Sequence, residues 1–339
     1  MLSLGFSMHD VARTRITISC LWEVMASVRV LGDPASHPVH LPWVNQVRPR
    51  LAAAGFLPGA GHRWLTSLVP PNGHPIPDFL TPPPPATATA DLATELSALA
   101  ATSAEVVRAD LKVLDQPRLS ALQGLCDDPK SGLARLVDEI TEYWDIALAQ
   151  SWPRIRTLLD AEVFQRARRL TEHGAEGLLN DLHQRVHWRD GSLSIAPRRP
   201  ARHRRRAPLR CPGSTSLRGT GLLLVPSVFA WPSVLSITAA EQPQLAYPAR
   251  GVATLWEASP CPPRALAAVI GRTRADLLVA LESPLSTTDL ARRIGLSAGG
   301  TSQHLGILRA AGLVTSHRTG HTIVNARTAV AEALLSAAH

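Results

Sequence analysis

Residues 286–328 decide the fold of the C-terminal part: STTDLARRIGLSAGGTSQHLGILRAAGLVTSHRTGHTIVNART. Ser286 precedes a helical pattern and has an aspartate three residues later, which predicts a capping box at a helix N-terminus. Gly295 predicts the end of this helix, because a residue without a Cβ adopts a left-handed turn easily. Ser297 predicts the N-cap of a second helix that runs to about Ala311. The segment therefore indicates two helices joined by a tight turn.

The second predicted helix has an apolar face and a slender polar face. Thr301, Leu305 and Leu308 recur with helical spacing, so we expect them to pack on the preceding helix. The opposite face is formed by Ser302, Gly306 and Arg309, flanked by Gly299 and Gln303. A helix that enters the major groove needs small residues for close approach and side chains that hydrogen-bond base edges. This face therefore predicts a reader of double-stranded DNA.

Two short strand patterns follow the second helix. Residues 312–316 and 322–325 favour strands, and the basic turn 317–321 joins them. Such a hairpin predicts a wing whose tip places Arg318 and His321 against phosphates or a minor groove. A final helix rich in Ala and Leu completes the domain.

This order of elements, with SQHL at 302–305 and AAGLV at 310–314, resembles the helix-turn-helix and wing of the ArsR family of regulators. The resemblance implies that residues 297–309 form the recognition helix of a sequence-specific transcriptional regulator, and we expect a repressor. It also implies a homodimer that pairs through the first and last helices of the domain, here 265–281 and 327–338.

The expected DNA contacts come from the start of the first helix, the outward face of the second helix and the wing. They are Thr288, Ser297, Gly299, Ser302, Gln303, Arg309, Arg318, Thr319 and His321. Metal-sensing relatives carry paired cysteines where this chain has residues 287–289, TTD, and no cysteine follows Cys261. We therefore expect no bound metal and no cofactor. Residues 263–339 hold eight arginines against four acidic residues, which favours a polyanionic partner.

The whole chain has a net charge of +8, which also suits nucleic acid. Six of its arginines lie in one run, residues 198–206. This run could grip the DNA backbone, or it could be a solvated loop, which we favour because prolines 200 and 208 disfavour regular structure.

The chain lacks the patterns of secreted and membrane proteins. Its four cysteines are widely spaced, which is not the arrangement of a disulfide framework and fits a reduced compartment. The N-terminus lacks a signal-peptide pattern, and no apolar run reaches the roughly 18 residues of a membrane helix. We expect a soluble cytoplasmic protein without a membrane partner.

The length of 339 residues predicts two or three domains, and we expect an α+β protein. Residues 1–256 are expected to form a regulatory domain, ahead of a winged helix-turn-helix domain at 262–339. Helical patterns dominate residues 1–185, and residues 186–256 predict a small antiparallel sheet with a hairpin turn at Asp190-Gly191. Stretches such as GLLLVPSVFAWPSV resemble an uncharacterised domain that is fused ahead of such DNA-binding domains.

The chemistry of the N-terminal region leaves alternatives open. Seven of its eight tryptophans could line a pocket for an apolar small-molecule effector, or they could fill the core, which we favour. They are Trp22, Trp43, Trp144, Trp152, Trp188, Trp231 and Trp256. The pairs His37/His40 and His183/His187 are spaced like metal ligands but lack a third ligand, so structural roles are favoured. No catalytic constellation is recognisable, so we expect no enzyme. The alternatives are an enzyme with a DNA-binding tail and a winged helix that serves as a protein-interaction scaffold.

Overall fold

The computed structural model contains two compact units, Met1–Trp256 and Glu257–His339. The residues that it describes are 2–57, 63–70, 75–84, 91–196, 213–237, 242–256, 264–319 and 322–337. The arginine run at 198–206 lies outside these ranges, and so do Gly320 and His321 of the predicted wing.

Helices dominate the described part of the N-terminal unit. They are α1 (Met8–Arg13), α2 (Cys20–Gly32), α3 (Leu41–Ala53), α4 (Trp64–Leu68), α5 (Leu92–Ala100), α6 (Ala104–Leu111), α7 (Gln116–Ala121), α8 (Gln123–Asp127), α9 (Pro129–Ala147) and α10 (Trp152–Asn180). Several begin at a side chain that accepts a backbone N–H of the first turn, as Ser19 does for α2 and Asp91 for α5. Throughout the described ranges, no helix combines the length and apolarity that crossing a membrane requires.

Helix α2 lies at the centre of the N-terminal core. Every residue from 20 to 31 is buried, which is the pattern of an interior helix. Two buried carboxylates tie it to its neighbours. Glu95 accepts the backbone N–H of Cys20 at 2.7 Å, and Glu23 accepts that of Val228 at 2.8 Å. These bonds satisfy carboxyl oxygens whose burial would otherwise be unfavourable.

The strands in the described part of the N-terminal unit form two four-stranded sheets. They are β1 (Leu2–Gly5), β2 (Arg15–Ile16), β3 (Val186–Arg189), β4 (Ser192–Ile195), β5 (Gly213–Ser216), β6 (Leu223–Ser227), β7 (Leu235–Ile237) and β8 (Gln244–Pro248). The first sheet has the order β3-β4-β1-β5 and the second β2-β6-β8-β7. The hairpin between β3 and β4 turns at Asp190 and Gly191, both with positive φ, as the sequence predicts.

The predicted division into a helical region 1–185 and a small antiparallel sheet is wrong in two respects. Strands β1 and β2 lie inside the predicted helical region. Both sheets are mixed, because β1 pairs parallel to β5, and β6 pairs parallel to β2 and β8. Parallel neighbours need a long crossover and leave no turn signal, so local patterns do not reveal these pairings.

The C-terminal unit follows the predicted order of elements, with one additional short strand at Leu285–Ser286 that the sequence does not predict. It contains α11 (Arg264–Ile270), α12 (Arg272–Ala280), β9 (Leu285–Ser286), α13 (Thr287–Ile294), α14 (Ala298–Ala310), β10 (Val314–Thr319), β11 (Thr322–Arg327) and α15 (Ala329–Ala337). The strands form one sheet of order β10-β11-β9. Leu277, Leu290, Leu305 and Leu335 bring α12, α13, α14 and α15 into one hydrophobic core, which fixes α14 against the rest of the unit.

Candidate nucleic-acid interface

The turn between α13 and α14 has the geometry that the sequence predicts. Gly295 ends α13 in the left-handed region, with φ 76°. The N–H of Leu296 closes the turn by donating to the carbonyl of Ala291 at 3.0 Å. Ser297 then caps α14, and its hydroxyl accepts the N–H of Gly300 at 3.1 Å. Two helices are thereby joined through a short turn of fixed shape.

The predicted capping box at Ser286 is half correct. The Ser286 hydroxyl accepts the N–H of Asp289 at 3.1 Å, as expected. The Asp289 carboxylate, however, accepts the same hydroxyl at 2.6 Å instead of reaching the Ser286 backbone, and Arg292 lies against it. The Ser286 hydroxyl, and then Arg292, hold the pKa of Asp289 below its usual value. An ionised carboxylate in the first turn of α13 interacts favourably with the helix dipole and stabilises the helix.

Helix α14 divides into a buried face and an exposed face. Thr301, Leu305 and Leu308 are buried, and the two leucines belong to the core of the unit. Ser302 and Gln303 are exposed. Arg309 is also exposed, and so are Ser297 and Gly299 at the start of the helix. The structure thus brings the predicted contact residues of α14 onto one accessible surface.

Two glycines on the exposed side of α14 have no internal reason to be glycine. A Cβ built at Gly299 or Gly306 would meet nothing within 4 Å, and neither residue has a positive φ. Glycine in a helix interior costs about 1 kcal/mol relative to alanine. The described fold therefore gives no packing or conformational reason for glycine at either position, and both residues leave the backbone of α14 uncovered.

Strands β10 and β11 form the predicted hairpin, which is buried at Val314 near its base and exposed near its tip. Its register runs from Val314 opposite Arg327 to Thr319 opposite Thr322. His317 and Arg318 are exposed near the tip. The side chain of Thr319 and the residue His321 lie outside the described part of the chain, so their predicted contacts have no geometry here.

Two arginines lie just before the turn, and neither is among the DNA contacts predicted from the sequence. Arg292 and Arg293 are exposed in the last turn of α13, and Thr288 is exposed in its first turn. Adjacent basic residues immediately before the turn are the signal that could have identified them. Such residues provide positive charge beside α14, where a phosphate backbone would be attracted.

Several of the weaker candidate residues of the N-terminal unit are buried in its core, whereas His187 of the second histidine pair is exposed. Trp22 donates to the side chain of Gln244 at 2.8 Å, and Trp43 donates to the carbonyl of Ala147 at 2.9 Å. His40 is buried, accepts from Trp256 at 3.2 Å, and has its pKa lowered by burial to about 3. A search of the described ranges finds no group of three His, Cys, Asp or Glu residues arranged for a metal ion.

Comparison with known proteins points to the same segment of the chain. No curated protein and no solved structure matches the chain significantly. Residues 254–317, about a fifth of the chain, match the helix-turn-helix domain family. The matched region includes α13, the turn and α14, whose outward face is polar and accessible. The chain therefore carries a helix-turn-helix domain, which indicates a DNA-binding regulator.

Proposed function

We propose that the C-terminal unit is a winged helix-turn-helix domain of the ArsR type that binds specific sequences in duplex DNA. The protein would act as a transcriptional repressor, without enzymatic activity. The observation that supports this proposal best is the exposed face of α14. It combines polar side chains with two glycines that the fold does not require, in a helix that follows a helix-turn-helix turn.

Helix α14 would enter the major groove with its N-terminal half leading. Ser302 and Gln303 would hydrogen-bond base edges there, because hydroxyl and amide groups match the donors and acceptors that bases expose. Gly299 and Gly306 would let the helix approach the groove closely. The first N–H groups of α14, capped by Ser297, would favour a nearby phosphate.

The hairpin and the ends of α13 would contact the DNA backbone. Arg318 is exposed near the hairpin tip and would act on phosphates or a minor groove, together with Thr319 and His321. Arg309 at the end of α14 and Thr288 at the start of α13 would bind flanking phosphates. Such contacts fix position and orientation, whereas α14 supplies sequence preference.

A homodimer would present two copies of α14 to two half-sites. The first and last helices of the unit each expose a valine, Val269 at 82% and Val330 at 60%. Exposed valines on these helices would become buried if α11 and α15 paired with a second copy. A dimer of this kind reads half-sites about one helical turn apart. Occupation of a promoter by such a dimer would repress transcription.

The N-terminal unit would carry the regulatory signal. Any effector that acts there, such as a small molecule, must bind two states of the protein with different affinity in order to change DNA binding. We propose a regulatory role for this unit instead of a catalytic one, because Trp22, Trp43 and His40 are buried in its core.

Selection of bound duplexes from a randomised library by the full chain, followed by a salt titration, tests the proposal. We expect enriched sequences and a linear fall of log K with log salt, with a slope of about −0.9 for each neutralised phosphate. Ser302→Ala and Gln303→Ala should each reduce the preference for the selected sequence, by about 1–3 kcal/mol where a base contact is lost. Arg318→Ala should weaken binding to all sequences alike.

The matched control is Arg168→Ala, which removes an exposed arginine of the N-terminal unit and should leave DNA affinity unchanged. Absence of any enriched duplex would contradict the proposal. Salt-independent capture of a protein partner by an unaltered α14 face would favour the scaffold alternative instead.

A further inference from the structure

A buried asparagine occupies the middle of the C-terminal sheet. Asn325 on β11 is 1% exposed. Its carbonyl oxygen accepts the hydroxyl of Ser316 on β10 at 2.7 Å. Its amide nitrogen lies 3.3 Å from the carbonyl oxygen of Leu285 on β9 and 3.3 Å from the hydroxyl of Thr287, the first residue of α13. One side chain therefore connects three elements.

The orientation of this amide is determined by its partners. The Leu285 carbonyl can only accept, so the nitrogen of Asn325 must face it and the oxygen must face Ser316. Apolar β-branched residues are more usual than asparagine at buried strand positions. A buried polar side chain costs free energy unless it is hydrogen-bonded. A satisfied polar network at such a position specifies one arrangement of its partners.

The backbone pairing that joins the hairpin to α13 is short. Strand β11 pairs with β9 at two positions, Val324 with Ser286 and Asn325 with Leu285. Strand β9 leads directly into α13. A slip of one residue would turn every side chain of the strand to the opposite face. The three bonds of Asn325 hold the register of this short pairing on both sides of β11.

We propose that Asn325 is a positioning residue that fixes the hairpin against the N-terminus of α13. Arg318 at the hairpin and the exposed face of α14 then meet one duplex in a fixed relative geometry. This inference rests on the proposed DNA binding and adds the residue that coordinates its two contact elements. The proposed ligands of Arg318 are the DNA backbone phosphates next to the bases that α14 contacts.

A double-mutant cycle measures this coupling. The full chain and its Arg318→Ala, Asn325→Leu and doubly substituted variants are titrated with the selected duplex over a range of salt. In the native background, Arg318→Ala should weaken binding by about tenfold, as expected for a charge-assisted contact. In the Asn325→Leu background the same substitution should change affinity by less than about twofold, because the arginine is no longer held at the duplex.

Hydrogen exchange of the DNA-free full chain tests the positioning directly. Asn325→Leu should increase exchange at 314–319 and 322–327 while the amides of α14 keep their protection. Ser316→Ala is a milder variant that leaves the buried amide in place, and it should give a smaller increase in the same segments. Unchanged exchange in both variants would overturn the inference.

Thr328→Val is the matched control. It removes a hydrogen bond of 2.7 Å to the carbonyl of Gly312 at the base of the hairpin and the 3.3 Å bond that the hydroxyl accepts from the N–H of Ala331, but it leaves Asn325 and β9 untouched. Arg318→Ala should retain its full tenfold effect in this background. A full effect in the Asn325→Leu background as well would refute the positioning role while leaving DNA binding intact. A native chain that binds no duplex would refute the proposed function. The hydrogen-exchange result would still decide whether Asn325 positions the hairpin.

Discussion

Helices α2 and α14 have the same length, 13 residues, but opposite relations to the fold. The polar groups of α2 point inward and are bonded within the protein, as Glu23 is to Val228 and Ser27 is to Tyr143. On α14, by contrast, Ser302, Gln303 and Arg309 are exposed. The fold makes no use of the two outward glycines of this helix. The core explains the polar residues of α2, whereas the described fold gives no internal reason for the exposed polar residues and the glycines of α14.

The largest expected effect comes from emptying the core around α2. Trp22→Ala should lower the free energy of unfolding by about 3–5 kcal/mol, because it leaves a cavity and removes the donor to Gln244. All eight tryptophans lie in residues 1–256, so tryptophan fluorescence during denaturant unfolding reports this unit. Ser302→Ala on α14, followed by circular dichroism, should change the free energy by less than about 0.5 kcal/mol. Equal losses of unfolding free energy in Trp22→Ala and Ser302→Ala would contradict the difference proposed between α2 and α14.

The next effect concerns the buried carboxylate of α2. Burial raises the pKa of Glu23 to about 8 from its ordinary 4.5, against the opposing N–H donors of Val228 and Phe229. The folded state thus holds a proton that the unfolded state loses, so this contribution is complete below pH 4.5 and disappears as pH rises toward 8. Each pKa unit corresponds to about 1.4 kcal/mol.

Glu23→Gln should therefore flatten the fall in unfolding free energy between about pH 5 and pH 8. The glutamine oxygen can still accept the N–H of Val228. Denaturant unfolding followed by fluorescence across this range is the measurement. Glu105→Gln, at an exposed position of α6, should keep the native pH dependence. A native pH dependence in Glu23→Gln would show that another group is responsible.

At Gly306 we expect smaller effects, which are opposite for the stability of α14 and for the affinity for DNA. Gly306→Ala should stabilise α14 by up to about 1 kcal/mol, since alanine is the better helix former and the added methyl meets open space. The same methyl should weaken DNA binding by holding the helix away from the groove. Hydrogen exchange of α14 and a duplex titration give the two values.

Gly300→Ala is the control for this prediction, because its methyl would meet the Ser297 hydroxyl at 3.2 Å within the unit. It should perturb the cap, and with it the phosphate contact proposed at Ser297, without placing a methyl group at the position of Gly306. If Gly306→Ala left DNA affinity unchanged, the exposed glycines would have no role in close approach.

The sequence predicts the two units unequally well. The turn of the C-terminal unit depends on Gly295 and Ser297, which act on residues one to three positions away, so their pattern is local and readable. The N-terminal sheets depend on contacts such as Leu2 with Gly213, which join distant parts of the chain without a turn between them. No short-range signal marks such pairs.

The candidate interface was also predicted in part. Helical spacing identified Ser302 and Gln303 as outward residues, because a period of 3.6 assigns faces directly. Asn325 was missed, although it lies within a predicted strand, because its role arises from Ser316 and Thr287 on separate elements. Local pattern shows where a side chain points, but it does not reveal which elements it will connect.

Methylation interference on a selected duplex tests the central claim most directly. Methylation of guanine N7 adds a group in the major groove, whereas methylation of adenine N3 adds one in the minor groove. If the exposed face of α14 lies in the major groove, N7 methylation within the site should abolish binding by the full chain. Gln303→Ala should shift or remove part of that interference. Binding that is insensitive to N7 methylation throughout the site would contradict the account.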